Sequence, residues 1–250
     1  TGPHAVLRLN RPEKRNALNL GMWQRMIELL AEAEADPTVR LLIVTGEGPA
    51  FAAGADIDEM KAVFDDPKTA DTIAEVTYQS QKALHRFPKP TIAMIRGACV
   101  GGGCGIALCC DLRFGDTSAK LGITPGKLGL VYSLVDTKRL VDAVGASTAK
   151  DILYTGRIIE ADEAKALGLL DCLVESDQLE SEVKGFADQI CAASQYSAEA
   201  TKKIAHMILD GATDDTPETR ALFVDAFSSE DFREGFEAFT AKRKPNFNKR

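Results

Sequence analysis

A basic excess is missing from this sequence of 250 residues: 30 Lys and Arg stand against 37 Asp and Glu, for a formal net charge of −7. Phosphate backbones are gripped by basic faces, so nucleic acid is excluded as the default partner. Long apolar runs are missing too. "RLLIVTG" and "TIAMIRG" fall far short of the ~20 residues that a membrane span needs, so no membrane partner is expected. No signal peptide is expected. It begins "TGPHAVLRLNRP" without a Met, from which removal of a preceding residue or strand is expected. The six cysteines (99, 104, 109, 110, 172 and 191) include no CxxC pair. They are expected as reduced thiols packed as small hydrophobes, without metal or disulfide, in a cytoplasmic or similarly reducing compartment.

Side-chain catalytic motifs are equally scarce. A dinucleotide loop needs GxGxxG, but counting from Gly101 or Gly103 the third glycine is replaced by Ile106 or Leu108. "GITPGKL" has neither the spacing of a phosphate-binding P-loop nor a hydroxyl after Lys127. There is no GxSxG and no HExxH, and His4, His85 and His206 are scattered. His85, beside "RFPKP", reads as a helix-end residue. These absences remove most hydrolase, kinase and metalloenzyme chemistries.

What is present is a pattern of strands and helices with 45% hydrophobic residues, enough for one large domain or a core with a smaller appendage. "AVLRLNRP" predicts a strand. "NLGMWQRMIELLAEAEADP" predicts a helix with Met22, Met26, Leu30 and Ala33 on one face, stopped by Pro37. "VRLLIVTG" is a buried strand, followed by the loop "EGPAFAAGAD" and a long helical stretch ending near Phe87. "KPTIAMIRG", a glycine loop, a short helix and the strand "DLRFG" come next. From about residue 145 the pattern is helical almost throughout, interrupted by the strand-like "LLDCLVE" and the helix start "GRIIEADEA". Helices are expected near 178–193, 197–210, 217–228 and 230–242. The last carries Phe232, Phe236 and Phe239 at helical spacing, a stripe that must cover either the chain's own core or another subunit.

Two stretches resemble one another: "RLLIVTGEGPAFAAGADI" and "TIAMIRGACVGGGCGIAL". Each reads strand, Gly turn, small-residue loop, helix start, about fifty residues apart, as in a coil of repeated ββα units. Side by side, they would bring two helix N-termini together. Small residues there, Ala55 and Gly102, would leave backbone N–H groups outward. Two converging donors with helix dipoles make an oxyanion hole, suited to a thioester becoming an enolate. The other reading is that the glycines only allow tight strand–helix packing.

"NRPEKRNALN", "FAAGADIDEM", "GGGCGIALCCD" and "DFREGFEAFTAKRKPNF" together resemble the crotonase (enoyl-CoA hydratase/isomerase) superfamily over nearly the whole chain. The resemblance implies an α/β fold, a crotonase-like spiral of repeated ββα units over residues 1–193. It also implies a C-terminal α-helical trimerisation region over 194–250, with a homotrimer or a hexamer built as a dimer of trimers. It implies an acyl-CoA substrate, no separate cofactor, and a thioester carbonyl held by the N–H groups of Ala55 and Gly102. Ala55, Asp56, Ile57 and Asp58 would lie along the CoA, with Lys14, Arg15 and Ala17 near its adenine and phosphates. Phe239 and Lys242 would reach a neighbouring subunit's CoA.

Two departures matter. Where family hydratases carry their two catalytic glutamates, this sequence has Gly105 and Pro125, which puts hydration and isomerisation in question. "GITPGKLGLVYSLV" instead resembles the methylmalonyl-CoA decarboxylase branch, in which Tyr132 would donate to the departing carboxylate. Decarboxylation needs no general base, because the breaking C–C bond supplies the enolate electrons. Two alternatives stand beside this lyase reading. One is a hydratase or isomerase-type enzyme using Tyr132, Asp136 or a residue of the 56–85 helix as acid/base, although Asp136 reads more simply as a surface or capping residue. The other is a non-catalytic acyl-CoA-binding assembly protein.

Overall fold

The structure, a computed structural model, describes residues 3–247. In chain order the first half runs β1 (His4–Leu9), α1 (Leu20–Ala35), β2 (Leu41–Gly46), α2 (Ile57–Asp65), α3 (Pro67–His85), β3 (Thr91–Ile95), β4 (Ala98–Val100), α4 (Gly102–Cys109), β5 (Leu112–Asp116) and β6 (Lys120–Gly122). The second half runs α5 (Leu134–Val144), α6 (Ala146–Thr155), β7 (Ile158–Glu160), α7 (Ala161–Leu167), β8 (Cys172–Val174), α8 (Leu179–Ala192), α9 (Gln195–Leu209), α10 (Pro217–Ala226) and α11 (Glu230–Thr240).

A parallel sheet in the order β1-β2-β3-β5-β8 forms one wall of the coil, and a smaller sheet, β4-β6-β7, forms another. Residues 41–45 of β2 are buried without alternation, as expected of a parallel strand covered on both faces. The internal repeat seen in the sequence is physical. Leu42 pairs with Thr91 in the ladder, and Ala52 bridges Cys99 one layer on. Successive turns of the chain therefore stack the two glycine-containing loops side by side.

Local chemistry sets the element ends. Asn19 caps α1 by accepting from the Met22 N–H, and Trp23, Met26 and Leu30 form its buried stripe. Met22 and Ala33, foreseen on that stripe, pack at its margin. The long helix expected up to Phe87 is two helices. Asp66 ends α2 and caps α3 by accepting from the Lys68 N–H, and Pro67 takes the first helical position. Cys99, Cys104, Cys109, Cys110 and Cys191 are buried and unbridged, and Cys172 is partly buried. Burial pushes the Cys109 thiol up to about 12, so it packs as an apolar side chain.

The C-terminal helices are fastened to the sheet by buried polar contacts. Lys202 on α9 pairs with Asp111 at 2.8 Å and donates to the Lys89 carbonyl at 3.0 Å. The rings of the last two helices do not pack on the core. Phe223, Phe227, Phe232 and Phe236 meet ring to ring in a row and all remain exposed, and Phe239 is 84% exposed. Of the two expectations for this stripe, the core-covering one is set aside.

Candidate active site

The two loops meet through backbone. Leu18 N–H donates to the Gly54 carbonyl at 2.7 Å and Asp56 N–H donates to the Leu18 carbonyl at 2.9 Å. The Ala55 N–H between them has no acceptor among the described residues. Gly102 opens α4, and its N–H likewise has none there, as the first turn of any helix dictates. Glycine is required for this approach. Gly54 and Gly101 both sit at positive φ, and a Cβ on Gly54 would stand 3.3 Å from the Val100 carbonyl oxygen. A Cβ on Gly103 would lie 2.6 Å from the Ala52 carbonyl oxygen. The two readings of the glycines are therefore compatible: the close packing they permit is what leaves two free donors side by side.

A cavity of about 410 Å³ opens over these donors. Ala55, Gly102, Ile57, Val100 and Leu130 line it, together with Lys14, Ala17, Thr124, Pro125 and Tyr132. Asp56 is the only carboxylate on the lining, and it is already engaged. It accepts from Arg11 at 2.8 Å and from the Asp58 N–H at 2.8 Å, capping α2. The Arg11 hydrogen bond, and then the Asp58 amide, hold its carboxyl below the usual range. A larger cavity of about 860 Å³ lies elsewhere, where α3, α5, α9 and α10 face one another. Neither Ala55 nor Gly102 lines it, so its size gives it no claim on the chemistry of the paired donors.

Behind Tyr132 of the lining stands bare Gly105, which is not itself on the cavity surface. A Cβ there would lie 2.6 Å from Gln81 Nε2 and 3.2 Å from the Tyr132 hydroxyl. The Tyr132 hydroxyl is buried and has no hydrogen-bond partner, and burial holds its pKa well above the ordinary phenol value. Gln81 Oε1 accepts from Arg139 Nη1 at 3.4 Å, and the same nitrogen reaches Asp136 Oδ1 at 3.0 Å. Asp136 in turn accepts from the Ser133 hydroxyl at 2.7 Å, while Ser133 caps α5 through the Asp136 N–H. Asp136 is thus a buried, ion-paired residue, which corrects the surface reading. The capping role belongs to Ser133.

The enoyl-CoA hydratase/isomerase family profile matches residues 4–250. The chain belongs to that family. Among its relatives, a crotonyl-CoA hydratase of Syntrophomonas wolfei is 36% identical, the match covering 97% of this chain and 94% of that one. A 2,3-dehydroadipyl-CoA hydratase of Escherichia coli is 32% identical over 97% of this chain and 94% of its own. A solved enoyl-CoA hydratase/isomerase family structure from Hyphomonas neptunium superposes with a TM-score of 0.97 at 46% identity, covering 100% of this chain and 96% of that one.

Of the family positions anticipated from sequence, Lys14, Ala17, Ala55, Asp56, Ile57, Gly102 and Tyr132 come together on the one cavity. Asp58 stands beside it, paired with Lys14 at 3.1 Å. Arg15 is not on the lining; it adopts φ 50° and its carbonyl accepts from the Ala53 N–H at 2.9 Å. Phe239 and Lys242 lie at the far tail and do not reach the cavity within one chain. Gln81 and Arg139 were missed. The available signal was "SQ" at 80–81, a polar pair one turn before buried Leu84 and Phe87, where the helix face should be apolar.

Proposed function

We propose that this family member binds acyl-CoA with the thioester carbonyl between the Ala55 and Gly102 amides and stabilises an enolate there. The free N–H groups at the mouth of a cavity support this reading, because preorganised donors are strongest where oxygen gains charge. Lys14 is half-exposed beside Asp58, free to exchange that carboxylate for a CoA phosphate. No metal and no redox cofactor enters the scheme; the CoA arrives with the substrate.

The favoured reaction is decarboxylation of a malonyl-type thioester. The bond between the α-carbon and the carboxylate breaks, its electron pair forms the enolate, CO2 departs, and the α-carbon then takes a proton from water. The single observation carrying this choice is that the one carboxylate on the cavity, Asp56, is committed to Arg11 and to its helix cap. The groups that stand beside Gly105 are Gln81 and Tyr132, neither of them a carboxylate. Hydration of an enoyl-CoA is the second reading, favoured by the hydratase names of the relatives. A panel of malonyl-, methylmalonyl-, ethylmalonyl- and crotonyl-CoA separates the two. CO2 release without crotonyl-CoA hydration is expected, and rapid hydration with no CO2 from any malonyl thioester overturns the choice. No turnover of any thioester leaves a binding protein.

The exposed phenylalanines of α10 and α11 support assembly into a trimer or hexamer, with Phe239 and Lys242 serving a neighbouring subunit. An aqueous, cytoplasmic setting suits the free cysteines.

A further inference from the structure

Buried hydrogen-bond donors that find no protein acceptor are costly, and their direction indicates what a ligand must supply. One such donor stands next to Gly105, with an uncommitted amide group beside it. The Tyr132 hydroxyl is buried and partnerless. Gln81 is only 4% exposed, and its amide orientation is set from behind, because Oε1 accepts from Arg139, which Asp136 and Ser133 hold in place. With the oxygen so occupied, the Gln81 NH2 turns toward Gly105, and among the described residues it donates to nothing.

We infer that Gln81 is a specificity residue whose carboxamide NH2 donates to a carboxylate on the acyl group and thereby selects carboxylated thioesters over plain ones. The inference rests on the enolate site proposed above and names what lies at its inner end. Both donors face Gly105, a bare position on α4 three residues past Gly102, and the helix is already regular there, since the Gly105 N–H donates to the Gly101 carbonyl at 3.0 Å. One turn advances about 4.5 Å over three residues, which is the reach of a malonyl unit whose thioester oxygen sits on the Gly102 amide. Arg139 does not contact the ligand in this arrangement. Its charge is neutralised by Asp136 at 3.0 Å, and it acts as a positioning residue that keeps the Gln81 amide from flipping.

The test compares malonyl-CoA with acetyl-CoA, which differ only by the carboxylate, on the full chain carrying Gln81→Leu or Gln81→Glu. Affinity is read by titration, or as KM wherever CO2 is released. A neutral donor to a charged acceptor corresponds to roughly ten- to hundred-fold in affinity. Gln81→Leu should weaken malonyl-CoA at least ten-fold, Gln81→Glu should weaken it further by charge repulsion, and both should leave acetyl-CoA within two-fold. Gln81→Met, which keeps the side-chain length, replaces the Leu variant if that one does not fold. Equal losses for both thioesters, unchanged malonyl-CoA affinity, or a wild type with no preference for malonyl-CoA each overturn the assignment. A wild type that prefers malonyl-CoA, loses that preference on Gln81→Leu and yet releases no CO2 keeps the Gln81 assignment and removes the decarboxylase reading.

Discussion

Alanine at Gly105 offers a direct measure of how the inner end of the site is filled. In an unobstructed helix interior, Gly→Ala stabilises by about 0.5–1 kcal/mol through backbone entropy. Here the new Cβ would lie 2.6 Å from Gln81 Nε2 and 3.2 Å from the Tyr132 hydroxyl. The amide nitrogen ends a flexible side chain, but Arg139 tethers its oxygen, so the shift carries an overpacking cost of about 1–3 kcal/mol. Gly105→Ala should therefore be neutral to destabilising by about 2 kcal/mol. In a Gln81→Ala background the obstacle is gone, and the same substitution should recover the ordinary helical gain. The coupling energy expected from the cycle is about 1–3 kcal/mol. Urea denaturation of the four proteins gives it, and the corresponding Tm changes are roughly 2–4 °C per kcal/mol for a chain of this length. If Gly105→Ala stabilises both backgrounds equally, Gln81 does not occupy this space and the argument for the site's inner end collapses. A glutamate introduced at Gly105 meets the same obstacle and is best examined together with Gln81→Ala.

Gly102→Pro removes one oxyanion donor, and Gly102→Ala carries a comparable Cβ near Leu18 and Trp23 while keeping the N–H. The Pro variant should lose about 10²–10³ in kcat relative to Ala, and equal rates would dismiss Gly102 as a donor. His85 is held down to about 4, chiefly by burial, then by the positive Arg139 and the stacked His206. The unfolded chain takes up that proton near pH 6.5 and the folded chain does not, so stability is complete above this pH and falls as pH drops toward 4. Because His85 is only partly buried, solvent screening cuts the loss between pH 7 and pH 5 to about 1 kcal/mol from this group, and His85→Phe should flatten the slope in denaturation series. Deleting residues 229–250 should lower the assembly state and weaken CoA binding together, and a full-length chain that sediments as a monomer at micromolar concentration refutes this.

Much of the site was legible because it is made of backbone. Glycines and small residues in a repeated strand–loop–helix pattern announce where donors are to be sought, and the ladder pairing Leu42 with Thr91 shows the two repeats stacked. The split at Asp66 and Pro67 was legible in principle, since Asp-Pro is a helix stop and start, but the apolar pattern on either side masked it. Gln81 was not legible. Its meaning depends on α3 rotating one polar residue toward Gly105 and on Arg139, 58 positions later, turning its amide. Asp136 misled for a related reason: a carboxylate in a helix's first turn ordinarily faces water, and here the guanidinium that neutralises it is buried alongside.

The two free amides inherit their separation from the stacking of the chain's own coils. Ala52 donates to the Ala98 carbonyl and accepts from the Val100 N–H, both at 2.9 Å, so the loops carrying the donors are clamped immediately before they diverge. Neighbouring strands stand about 4.8 Å apart whatever their side chains. The spacing of the two amides is thus a property of peptide geometry, present before any ligand arrives and beyond the reach of most point substitutions. Divergence in such a molecule has one direction open to it: chemistry is rewritten from the opposite wall, by exchanging side chains around a pair of amides that itself stays constant.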